Sequence, residues 1–104
     1  MKVNKEVLDE DIHMLFNLFN EMFFDGLLVT TVLEWSKRMT SWAGIWYKSQ
    51  EGYYTIRLSE PLLKYRTLKE LHETILHEMI HAYLWMTEKG YSRDGDGHGP
   101  NFQK

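Results

Sequence analysis

Cysteine is absent from these 104 residues, so disulfides, thiolate metal sites and a cysteine nucleophile are excluded together. An excess of positive charge is lacking as well. Fifteen acidic against twelve basic residues give a formal net charge of −3, which offers no general attraction to a phosphate backbone. No apolar run approaches the length of a membrane span, and the charged N-terminus MKVNKEVLDEDIH has no signal-peptide character. Repeats and low-complexity linkers are missing too. The expectation is a soluble chain without membrane contact.

What the chain does have is the composition of a folded protein: 43% hydrophobic, 26% charged and 14% aromatic residues. That is enough apolar bulk for one modest core, so residues 1–104 read as a single domain with one site. Residues 6–24 place Ile12, Leu15, Phe16, Phe19, Met22 and Phe23 at helical spacing, and Asp25-Gly26 stops the run. β-Branched and aromatic content predicts strands over 27–35, 43–47 and 53–58, with SQEG turning the last two into a hairpin. Along the third strand Tyr54, Ile56 and Leu58 alternate with Tyr53, Thr55 and Arg57, so one face should be buried and the other wet. Ser59-Glu60-Pro61 begins a short helical turn. Thr67-x-x-Glu70 is a capping-box signature opening a long helix that runs to about Thr87, before Gly90. The tail YSRDGDGHGPNFQK reads as a loop. The class is α+β: an N-terminal helix, a three-stranded antiparallel or mixed sheet, and a long helix followed by a loop.

The chemistry lies on that helix, in ILHEMIHAYLW. Residues four apart on a helix have Cβ atoms roughly 5–6 Å from each other, which lets the imidazoles of His77 and His81 converge on one cation. With His77 at 0°, His81 falls at about 40°, whereas Leu68, Ile75, Met79, Ala82 and Met86 cluster near the opposite side. The histidines are therefore expected on a polar face. Glu78, about 100° round, is poorly placed as a third ligand but within reach of a water on the metal, the position of a general base. A catalytic zinc keeps three protein ligands and one open position. His98 is the first candidate for the third, with Asp94, Asp96 and Glu88 as rivals. Glu70 and Glu73 are candidates to orient the imidazoles. His72 reads as a partly buried structural residue and His13 as a surface one. Asp94-x-Asp96 lacks the bidentate Glu and the spacing of a calcium loop, and WSKRMTSW (35–42) reads equally as a nucleic-acid contact or as a strand end and loop.

WSKRMTSWAGIW, IRLSEPLLKYRTLKELHETILHEMIHAYLW and DGHGPNF together resemble the SprT-like family, in particular its Spartan metalloprotease branch, over about residues 12 to 102. The resemblance implies a small zincin-like domain with Zn2+ held by His77, His81 and His98, and Glu78 as the catalytic glutamate. It further implies a monomeric nuclear protease whose substrates are proteins covalently attached to DNA during replication-coupled repair. The family's catalytic domain continues past the GHGP segment into a zinc-binding subdomain that engages DNA. Residues 1–104 are therefore expected to be a C-terminally truncated SprT-like domain that reaches DNA through regions absent here. Trp42 and Trp46 stand where small or thiol residues are usual, so an altered cleft rim with an intact metal site is expected. The competing reading is a zinc-stabilised binding module without turnover. A closed four-ligand shell would favour it, and the unliganded Glu78 speaks against it.

Overall fold

The computed structural model describes residues 2–87. A short helix α1 (Lys5–Leu8) and the longer α2 (Ile12–Phe23) precede strand β1 (Thr31–Ser36). The hairpin strands β2 (Gly44–Lys48) and β3 (Tyr54–Ser59) follow, then a single turn α3 (Glu60–Leu63) and the long helix α4 (Leu68–Thr87). The tail 88–104 lies outside the described residues, and with it His98, Glu88, Asp94 and Asp96.

The expected N-terminal helix is two helices, because side-chain acceptors restart the chain. Asn4 accepts from the Glu6 N–H to cap α1, and Asp11 accepts from the Met14 N–H at 3.1 Å to cap α2. The inner face of α2 then buries Ile12, Leu15, Phe16 and Phe19, as their spacing requires. Asp25 and Gly26, at φ 53° and 68°, turn the chain out of the helix through the left-handed region. The predicted first strand starts four residues late. Residues 27–30 are held instead by the buried Asn20, whose side-chain oxygen accepts from the Leu28 N–H at 3.1 Å. His13, read as a surface residue, is exposed but not idle: its Nε2 donates to the Leu33 carbonyl at 2.9 Å and ties α2 to β1. His72 is partly buried as expected, edge-on to Phe19 at 5.7 Å.

The sheet is mixed, in the order β1-β3-β2, with β1 parallel and β2 antiparallel to β3. Ser49 and Gly52 close the hairpin by a backbone hydrogen bond of 3.1 Å, and Gly52 takes φ 97° as a turn glycine must. Leu33, Ile56 and Trp46 stand in register on the face that meets the helices. The other face is not fully wet. Thr55 is buried between Val32 and Tyr47 because β3 is the central strand, and Arg57 bridges both neighbours through Glu34 Oε2 (2.6 Å) and the Tyr47 hydroxyl (2.8 Å). Leu71, Ile75, Met79 and Ala82 of α4 close the core against β2 and β3.

Two local devices aim α4. Ser59 donates to the Met39 carbonyl (2.6 Å) and accepts from the Leu62 N–H (3.1 Å), so one buried hydroxyl fixes the loop before β2 and caps α3. At the start of α4 the capping box is complete: the Glu70 N–H donates to Thr67 Oγ1 (3.1 Å) and the Thr67 N–H donates to Glu70 Oε1 (3.0 Å). The Thr67 backbone N–H, aided by its hydroxyl, holds the Glu70 carboxyl below its ordinary range. A group lowered in the folded state stabilises fully above its ordinary pKa and loses that contribution as pH falls through the lowered value. Thr67→Ala is accordingly expected to cost about 1 kcal/mol in urea unfolding at neutral pH. Glu70→Gln should flatten the acid limb of stability against pH, and an unchanged acid limb would show that the cap carries no part of it.

Candidate metal centre

His77 and His81 lie one turn apart on α4, their ring centroids 4.9 Å apart and their planes at 83°. Their Nε2 atoms are separated by 3.3 Å. Two nitrogens bound to one tetrahedral zinc at about 2.0–2.1 Å stand about 3.3–3.4 Å from each other. The separation of the two imidazole nitrogens matches that spacing. One donor atom from each of His77, Glu78 and His81 lies within 4.8 Å of the others, and the three form a group that can hold a metal ion.

The two histidines do not share one polar face, contrary to the helical-wheel expectation. His77 is exposed, but Glu78 and His81 are only 6% and 3% accessible. The wheel treats α4 as having one buried side, whereas the helix has a second neighbour in β2. Gly44 is the closest point of that contact. A Cβ at Gly44 would stand 2.9 Å from Thr74 Cγ2, 3.2 Å from Glu78 Cγ and 3.4 Å from Glu78 Oε2. Only a residue without a side chain lets the strand come so near, and this approach covers the Glu78 carboxylate while leaving it beside the histidines. A carboxylate buried beside two imidazoles favours positive charge nearby, so the surroundings suit a cation held by the imidazoles.

A cavity of about 310 Å³ opens over the three residues, lined also by Trp42, Gly44, Ile45 and Trp46. A second groove of about 350 Å³ shares Trp42, Gly44, His77 and Glu78 and runs on past Ala43, Thr74, Glu73, Glu70 and Arg66. Trp42, 65% exposed, stands at the junction. Trp46 is fixed from behind, stacked on Tyr54 at 5.9 Å and tilted against Trp85 at 5.5 Å. WSKRMTSW is therefore a strand end and cleft-wall loop, one of the two forms expected of it. The candidate orienting acids have other duties: Glu70 serves the helix cap and Glu73 lies 3.7 Å from Lys69. Ser59 caps α3 where a helical turn was expected, whereas Gly44 carries no sign in the sequence. The AGIW tetrapeptide (43–46) gives no local sign of a close approach, which depends on where α4 passes.

A helix-borne His-Glu-x-x-His group beneath the edge of a small mixed sheet defines a zincin-like metal centre. The SprT-like family pattern matches residues 12–104, and the chain belongs to that family. It is 54% identical over 95 residues to the DNA-dependent metalloprotease SPRTN of Bos taurus and 53% identical over 95 residues to that of Homo sapiens. Each match covers 90% of this chain and 19% of the relative. It is 50% identical over 97 residues to the DNA-dependent metalloprotease dvc-1 of Caenorhabditis elegans, covering 89% of this chain and 26% of the relative. The chain thus spans about a sixth to a quarter of the length of the curated relatives it matches.

Gly44→Ala should destabilise the fold by about 1–3 kcal/mol through overpacking. Adding Thr74→Ser removes the methyl group at 2.9 Å and should recover part of that loss in the same urea titration. Full stability in the single variant would mean that the strand does not need this approach.

Proposed function

We propose that this chain is the peptide-cleaving part of a zinc-dependent endopeptidase that acts on proteins covalently attached to DNA. The observation that carries the reading is the pair of Nε2 atoms at 3.3 Å with the buried Glu78 carboxylate beside them, at the floor of an open cleft. His77, His81 and His98 are the proposed ligands. Imidazole donors without thiolates suit several transition ions, and zinc fits the tetrahedral spacing. When bound, zinc would supply Lewis-acid polarisation of the attacking water and of the scissile carbonyl.

The protein's own groups do the rest. Glu78 accepts the proton of the attacking water and passes it to the leaving amine, a task for a carboxylate beside the metal rather than a ligand on it. Its burial under Gly44 keeps competing water from the carboxylate. β2 pairs only with β3 among the described residues, so its outer edge can take an extended substrate by backbone hydrogen bonding across the cavity. Trp42 and Trp46, which line the cavity, are placed to contact substrate side chains.

The relatives are named DNA-dependent metalloproteases, which supports a repair role in the nucleus and DNA as a partner. The net charge of −3 gives this segment no overall attraction to DNA. The segment acts as a monomer.

Glu78→Gln should retain stoichiometric zinc yet lower cleavage of a DNA-linked protein by at least about 100-fold, the usual size of a general-base contribution. His98→Ala should lose zinc. Metal analysis and gel-based cleavage of the whole protein report both, and undiminished cleavage by Glu78→Gln would refute the mechanism.

A further inference from the structure

Charge is divided unevenly along this chain. Residues 6–36 contain seven carboxylates (Glu6, Asp9, Glu10, Asp11, Glu21, Asp25 and Glu34) and no lysine or arginine, while the remaining sequence has eight acidic and twelve basic residues. The acidic stretch comprises most of α1, all of α2 and β1.

On α2 this charge frames an apolar ridge. Met14, Leu18 and Met22 recur every four residues, and they are 65%, 51% and 59% exposed, respectively. The opposite side of the same helix fills the core, so the ridge is not a misplaced core face. Asp11 at the N-cap and Asp25 just past the C-cap close its two ends, and Glu21 lies beside it. None of these residues lines the metal cleft.

We infer that this ridge is a docking surface for a basic amphipathic helix of a partner protein. A ridge of residues at i, i+4 and i+8 is the element that fits the groove between side-chain rows of another helix. Two methionines let it adapt to the partner's side chains. Carboxylates at both ends and along one side complement lysine or arginine flanking a short apolar face, and they repel a nucleic acid or an acidic helix. The occupant is therefore cationic, helical and apolar on one side. This surface is separate from the proposed peptidase site and does not depend on it.

The test uses the zinc-loaded protein and a fluorescein-labelled peptide of about 14 residues, with leucines at i, i+3, i+4 and i+7 and lysines flanking them. A control peptide carries glutamate in place of lysine. Anisotropy should show saturable binding of the lysine peptide and at least tenfold weaker binding of the glutamate peptide. Leu18→Asp should weaken the lysine peptide at least tenfold, with helix content and zinc content unchanged. The double variant Asp11→Asn, Asp25→Asn keeps the helix cap and the left-handed turn, since asparagine serves both, but should weaken binding several-fold and flatten its salt dependence. Equal affinity for the two peptides, or for wild type and Leu18→Asp, would overturn the proposal. So would a dimer abolished by Leu18→Asp in a protein that binds neither peptide, which would give the ridge to a second copy of the chain.

Discussion

Strand β2 meets helix α4 at a point where there is no room for a side chain, and the centre depends on that contact. The i, i+4 spacing of His77 and His81 is a property of any helix, but it does not by itself keep an acid close to both and out of bulk water. Gly44 does this by letting the strand backbone lie against Thr74 and Glu78. The same contact forms the cavity wall, because the residues after Gly44 are Ile45 and Trp46. Acid, imidazoles and cleft are thus set by one close approach.

That approach is held from several directions. The Thr67–Glu70 capping box fixes where α4 begins, so its register against the sheet is determined before packing is considered. Ser59 fastens the loop that leads into β2, and its N–H donates to the Ala43 carbonyl at 2.8 Å, one residue before Gly44. Ile75 and Met79, fully buried, press the other side of α4 into the core. Burying two such side chains contributes roughly 1.5–3 kcal/mol each, enough to offset the close fit on the strand side.

The parts of this arrangement governed by local rules were legible in the sequence. Helix spacing identified α2 and α4, the capping box gave the start of α4, SQEG gave the hairpin, and His-Glu-x-x-His pointed to the three donors that α4 brings together. Misreadings arose where a distant partner decides. The break between α1 and α2 depends on Asp11 taking the Met14 N–H, and β1 is shortened because Asn20 holds residue 28. The polar-face placement of His81 failed because a helical wheel has no second neighbour, and β2 supplies one. His13 shows the same limit, since nothing near it in sequence points to the Leu33 carbonyl.

The central claim is that two imidazoles of α4 grip an ion while Glu78 stays off it. Diffraction data collected on either side of the zinc absorption edge test this most directly. The account predicts one anomalous peak at about 2.0–2.1 Å from Nε2 of both His77 and His81, with both Glu78 oxygens beyond bonding distance. A peak bonded to Glu78, or one that touches only one of the two histidines, would contradict it.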